Sequence, residues 1–226
     1  MCSKCGLCAK VCPYGAITWQ KGDVAAVVEA ACAGCGACGA TCTFGAITMR
    51  HFTDEQLLAQ VRATLAENPQ DKVFGFACNW CSYAGGDMAG ISRIQYPSTN
   101  RVVRTMCSAR VSEEMVLEAF RCGAPVVLVS GCHYADCHYI DANRQTVKRI
   151  QRLWNKLEKA GVRPERLQLE WISAAEGQKF AKVMRQMEEL RQTVTAEEIA
   201  HAREALKPKP KKKRPPKKEA AAEVSA

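Results

Sequence analysis

The sequence predicts an α+β module of about fifty residues, then an α/β module with a small parallel sheet, then a basic disordered tail. Three observations predict it. Cys2, Cys5, Cys8 and Cys12 recur thirty positions later as Cys32, Cys35, Cys38 and Cys42, each set followed by a matching phrase, Tyr14 to Thr18 and Phe44 to Thr48, which marks two copies of one small unit. From Lys72 onward short apolar runs alternate with helical patterns, as parallel sheets with crossover helices require. From Lys207 to Lys218 prolines and like charges replace apolar residues, so a packed core is not expected there.

In the first module, residues 1–50, Ala16 to Gln20 and Val24 to Val28 read as short strands about the turn Lys21-Gly22-Asp23. A linker segment, residues 51–71, then carries strong helix-start signals. Thr53 stands at the N-cap, Gln56 at the third helical position, and Phe52 is placed to pack on Leu57, a capping box with a hydrophobic staple. The helix should run to about Glu67, and Asn68-Pro69-Gln70-Asp71 breaks it at a domain boundary. In residues 72–192, four strands are expected at Val73 to Ala77, Arg101 to Met106, Pro125 to Ser130 and Leu167 to Ile172. Helices are expected at Ser112 to Cys122, stopped by Gly123, at Asn143 to Ala160, stopped by Gly161, and at Ala174 to about Gln192, opened by Ser173 and Glu176 as a second capping box. The pair Gly85-Gly86 reads as loop punctuation. Residues 193–226 hold a last short helix after Thr195 and the tail.

The chain has 226 residues, 47% hydrophobic and 24% charged, enough apolar material for one or two cores. Fourteen cysteines are far above ordinary usage. No basic start leads into an apolar stretch, and no run reaches the roughly 18 apolar residues of a membrane span, so a cytoplasmic chain without a transmembrane segment is expected. A reducing compartment turns the thiols from disulfides towards metal ligands. The net charge of +9 is mostly a property of the tail, since residues 207–226 hold seven Lys and one Arg against two Glu. The Lys211 to Arg214 run is isolated and lacks interleaved aromatics, so it reads as a solvated or docking arm rather than a nucleic-acid site.

Each quartet is C-x2-C-x2-C-x3-C, the run by which bacterial-type ferredoxins hold two four-iron clusters, with the fourth cysteine of each run serving the other cluster. The spacing lets one tight loop wrap three corners of a cube while the distant thiolate ties the halves together. Cys2, Cys5, Cys8 and Cys42 are therefore assigned to one [4Fe-4S] cluster, and Cys32, Cys35, Cys38 and Cys12 to the other. Glycines 6, 34 and 36 permit the tight backbone. Pro13 follows the first quartet, whereas Thr43 stands at the matching place after the second. Cys2 has almost no chain before it, so its cluster is expected to be the labile one.

Cys78, Cys81, Cys107, Cys132 and Cys137 all follow predicted strands. The carboxyl edge of a parallel sheet gathers ligands, so thiols scattered over sixty positions can meet in one crevice. Five thiols are one more than a two-iron cluster needs. Zinc, which needs four thiols, is a rival, and so is thiol-disulfide exchange at Cys78 and Cys81. His133 and His138 are read as supporting residues rather than ligands, with Trp80 and Tyr83 as cover and Arg104 and Arg110 as offsets to cluster charge. Cys122, at the end of a helix beside Gly123, reads as a plain thiol. No G-x-G-x-x-G follows a strand and no catalytic triad or carboxylate pair can be argued, so no substrate site is expected on this chain.

Phe76 to Tyr83, Arg104 to Val111 and Gly131 to Tyr139 closely resemble the delta, iron-sulfur subunit of methyl-viologen-reducing (F420-non-reducing) hydrogenase, over residues 72–192. Residues 1–66, including the helix start His51 to Gln56, resemble the ferredoxin-bearing C-terminal end of the A-type subunit of heterodisulfide reductase. Ala109 and Ala135 stand where that family is expected to carry glycine. The resemblance implies an electron-transfer subunit of anaerobic metabolism with two [4Fe-4S] clusters and one [2Fe-2S] cluster. It would relay electrons from a hydrogenase or formate dehydrogenase to a heterodisulfide-reductase-like flavoprotein, which alone would carry the flavin. The motif leaves open which four of the five thiols bind the third cluster; the set Cys78, Cys81, Cys107 and Cys137 is expected. The other readings are a zinc-stabilised docking subunit of such a complex, or a thiol-disulfide oxidoreductase.

Overall fold

A computed structural model describes residues 1–208; the tail expected at 209–226 lies outside the described residues. In the first fifty residues the repeat is visible in the backbone. Helices α1 (Leu7–Lys10) and α2 (Ala37–Thr41) each start at a glycine in the left-handed region, Gly6 at φ 71° and Gly36 at φ 79°, where a side chain would be strained. Strands β1 (Ile17–Thr18) and β2 (Ala26–Val27) pair antiparallel, Ile17 opposite Val27.

Helix α3 (Asp54–Thr64) starts with the capping box foreseen, Thr53 Oγ1 accepting from the Gln56 N–H and Gln56 Oε1 from the Thr53 N–H. It is more than a connector. Leu57, Val61 and Leu65 are buried in the same apolar core as Phe74, Phe76 and Phe120.

Four parallel strands form the second sheet, β3 (Val73–Cys78), β4 (Asn100–Thr105), β5 (Val126–Gly131) and β6 (Leu167–Trp171), in the order β4-β3-β5-β6. Alternate residues of the central strands face opposite layers. Phe74, Phe76, Val127 and Val129 pack under α3, α5 (Glu113–Arg121), α6 (Asn143–Lys159) and α8 (Ala196–Ala205). Val73, Val126 and Leu128 pack under α7 (Gly177–Gln192) and α4 (Ser82–Ile91). The chain order reverses between β3 and β5, so the crevice beyond their carboxyl ends is the ligand position of a doubly wound sheet.

Two expectations need correction. Gly85 and Gly86 lie inside α4 rather than in a loop. A Cβ on Gly85 would stand 2.8 Å from the Ser173 carbonyl oxygen and one on Gly86 3.1 Å from the Phe180 ring, so α4 uses glycine to approach its neighbours. The helix expected from Ala174 begins at Gly177. Only half of the Ser173–Glu176 capping box forms: Glu176 Oε2 accepts from the Ser173 N–H at 2.7 Å, but the same oxygen lies 2.6 Å from His133 Nε2 and Ser173 offers no side-chain cap.

Candidate iron-sulfur sites

The quartets gather as the spacing requires. One cavity of about 60 Å³ is lined by Cys2, Cys5, Cys8 and Cys42. A second of about 90 Å³ is lined by Cys12, Cys32, Cys35 and Cys38. Cys12 and Cys42 have thus each crossed to the other half. Ile47 lines both cavities and stands between them. The fourth thiols are held alike, Cys12 Sγ accepting from the Ala16 N–H and Cys42 Sγ from the Ala46 N–H, both at 3.3 Å. Gly6 leaves room for the Trp19 ring, whose Nε1 donates to the Lys4 carbonyl.

The two quartets match in exposure. Each has one exposed thiol, Cys5 or Cys32, one buried thiol, Cys8 or Cys35, and two half-buried ones. Burial pushes the Cys35 and Cys8 thiols up, and burial with the neighbouring Cys35 pushes Cys38 up to about 11. Four thiolates in such a space repel one another and lose water, so they need a cation between them. The donor chemistry therefore fits a metal cluster.

The other five thiols converge at the carboxyl edge of the sheet. Cys78 ends β3, with its N–H held by Ser82 Oγ at 2.9 Å. Cys81 caps α4. Cys107 follows β4, its carbonyl accepting from Thr105 Oγ1. Cys132 follows β5, and the buried Asn143 side chain holds that loop by donating to the carbonyls of Cys132 and His133. Cys137 pairs with Ile140, whose φ of 60° is strained for a β-branched residue. Gly131 is required there because a Cβ would fall 2.7 Å from Ser108 Oγ.

These thiols form a ring of neighbours. Cys78 and Cys132 are in contact, Cys107 and Cys81 also act on Cys78, Cys137 and Cys81 on Cys132, and Cys137 on Cys107. Hydrogen bonds from neighbours, Cys107 first for Cys78 and Cys137 first for Cys132, pull those two thiols down. The same contacts, Cys132 first for Cys81 and Cys137 first for Cys107, push the other two up. The ring accepts negative charge only while protons remain to share it, so full deprotonation again needs a cation. Cys78 Sγ and Cys132 Sγ are 3.8 Å apart, which is about the separation of two thiolates on one tetrahedral ion with ~2.3 Å bonds. Cys132 is therefore a full member of the ring, and the geometry does not single out the expected set Cys78, Cys81, Cys107 and Cys137. Among the described residues no three His, Cys, Asp or Glu side chains close on one ion-sized point. Cys78 is wholly buried, out of reach of a disulfide substrate.

The surroundings sort the remaining candidates. His138 stacks on Trp80 with ring centroids 3.9 Å apart, and Trp80 Nε1 donates to Tyr139 Oη at 2.8 Å. Tyr139 is buried and its hydroxyl is pushed up to about 12, chiefly by burial. Trp80 and Tyr83 are only partly covered. Arg104 lies over the Tyr83 ring and is exposed, but Arg110 is buried. Cys122 stands apart from the other thiols, half-buried against the core.

The sequence did not reveal how close two of these sites lie. Cys35, Ala37, Cys107, Ala109, Cys137, Tyr139 and Ala142 share one buried cluster, with Tyr14 packed against it. The second quartet and the five-thiol ring thus meet across a dry seam.

Residues 73–193 match the family described as methyl-viologen-reducing hydrogenase, delta subunit, and residues 1–46 match the 4Fe-4S dicluster domain. The chain is 50% identical over 184 residues to the A-type subunit of the ferredoxin:CoB-CoM heterodisulfide reductase of Methanosarcina mazei, covering 81% of this chain but 23% of that protein. It is 46% identical over 120 residues to the vhc iron-sulfur subunit of the F420-non-reducing hydrogenase of Methanococcus voltae, covering 53% of this chain and 83% of that one. The iron-sulfur subunit of the F420-non-reducing hydrogenase of Archaeoglobus profundus is 47% identical over 120 residues, 53% of this chain and 88% of that one. The chain therefore spans about a quarter of the length of the heterodisulfide reductase relatives and most of the hydrogenase ones. No helix among the described residues is long and apolar enough to cross a membrane.

Proposed function

The chain belongs to the methyl-viologen-reducing hydrogenase delta-subunit family, and from that premise we propose that it is an electron-transfer subunit, relaying electrons between a hydrogenase or formate dehydrogenase type donor and a heterodisulfide-reductase-like flavoprotein in the cytoplasm. In this reading Cys2, Cys5, Cys8 and Cys42 hold one [4Fe-4S] cluster and Cys12, Cys32, Cys35 and Cys38 the other. Four of Cys78, Cys81, Cys107, Cys132 and Cys137 hold a [2Fe-2S] cluster. Bound clusters supply one-electron carriers; the chain supplies spacing, shielding and charge. Ile47 excludes water between the first two sites, and the Tyr14, Ala109, Tyr139 and Ala142 side chains do so between the second and third.

The observation that carries the reading is the seam. Cys35 of one site and Cys137 of the next are each 8% exposed within one apolar cluster, so a path from an exposed quartet to the sheet edge runs through buried contacts. The test is anaerobic reconstitution of the chain with a candidate donor and a flavoprotein partner, following flavin absorbance. The flavin should be reduced only when the chain is present. Full reduction of the chain's own clusters without passage to any flavoprotein partner would overturn the proposal.

A further inference from the structure

The seam holds two arginines that the relay does not by itself explain. Arg110 is 2% exposed, and Arg149 is 3% exposed. Arg110 packs on Gly36, between two ligands of the second quartet, so closely that any Cβ there would overlap its Cδ. Its Nε and Nη2 donate to the Phe52 carbonyl at 3.2 and 2.9 Å, and Nη2 also reaches Asp54 Oδ1 at 2.5 Å. Its Nη1 is buried without a partner among the described residues. Arg149 Nη1 donates to the carbonyls of Ala109 and Val111, and Nη2 to Thr41 Oγ1 on α2 at 3.3 Å.

The charges facing this pair do not balance it. Arg149 faces Arg152, Arg110, Glu113 and Cys107, and Glu113 is already paired with Lys156. Arg110 has Asp54, which is 40% exposed. A buried guanidinium without a carboxylate is costly unless another anion stands by. Burial first, then Arg152 and Arg110, pull the Arg149 guanidinium down to about 10. The anions at hand are the thiolates of the second quartet and of the five-thiol ring.

We propose that Arg110 and Arg149 form a buried cation pair whose counter-charge is the two thiolate-held clusters flanking the seam, and that this pair makes both clusters easier to reduce. The inference rests on the electron-relay reading. A cluster held by four thiolates carries about −2 and one more negative charge when reduced, so a fixed nearby cation favours the reduced form and its removal disfavours it. Arg149 also reaches the first quartet's wall, since Thr41 lines that cavity, whereas Arg110 packs only against the second.

The test is a redox titration of the full chain followed by electron paramagnetic resonance. Arg149→Gln and Arg110→Gln should each weaken reduction of the second and third centres about tenfold, which is about 59 mV for one electron. The first-quartet centre should keep its potential in Arg110→Gln, and Arg149→Lys should keep most of the effect of Arg149. Asp54→Asn removes an exposed carboxylate beside Arg110 and should shift the second centre severalfold the other way. Unchanged potentials in iron-replete glutamine variants would overturn the proposal, as would a lysine variant shifted as far as the glutamine one. If the glutamine variants fail to take up iron, Asp54→Asn decides, and no upward shift rejects the pair's role. Absence of reducible centres in the unaltered chain would instead reject the relay reading itself.

Discussion

Replacing Gly36 by alanine is expected to open the seam, and replacing Gly34 measures how much of that effect is local. Both residues are in the left-handed region, at φ 79° and 76°, so each alanine carries the same backbone penalty of about 1–2 kcal/mol. Around Gly34 a Cβ meets nothing within 4 Å, whereas at Gly36 it would overlap the Arg110 side chain. Arg110 is held on its other side by Phe52 and Asp54 and cannot retreat without breaking those bonds. Overpacking of this kind costs typically about 1–3 kcal/mol. The difference between the two variants should therefore be about 1–3 kcal/mol of local opening, roughly a 5- to 150-fold gain in amide exchange. Anaerobic hydrogen-deuterium exchange of the peptides around residues 35–42 and 107–111 reads it directly. Equal exchange in Gly34→Ala and Gly36→Ala would refute the claim that Arg110 locks the second quartet against the ring.

Leu57→Ala should destabilise the α/β region by about 2–5 kcal/mol, because Leu57 is fully buried in its core; unfolding of residues 73–193 at unchanged denaturant concentration would show that α3 is only a connector. Mild oxidation should remove four irons from the first quartet before the second, since only the second is packed against the α/β region, through Cys35 at the seam; iron loss uniform across the sites contradicts this. Cys122→Ser should leave iron content unchanged, and a loss of two or more irons per chain would make Cys122 a ligand.

Much of this was legible in the sequence because the signals were local. The thirty-residue repeat fixed the two quartets, and four strands fell within a residue or two of their expected places. Thr53 and Gln56 capped α3 as their spacing requires. What escaped depended on neighbours distant in sequence. Gly85 and Gly86 weaken a helix by their own propensity, and only the close approach of Ser173 and Phe180 explains their place in α4. Ser173 and Glu176 match a capping box, but His133, forty-three residues earlier, competes for the carboxylate. The sequence marks Arg104 and Arg110 alike as offsets to cluster charge, and only packing against Gly36 and Phe52 buries Arg110. The apposition of Cys35 and Cys137 has no sequence signal, for it arises when α2 docks on the 3-10 turn Ser108–Arg110.

The most direct measurement is metal analysis of the anaerobically purified chain together with its electron paramagnetic resonance after stepwise reduction. The account predicts about ten irons per chain and three reducible centres. Eight irons with bound zinc, eight irons with five free thiols, or a sample silent after reduction would contradict it.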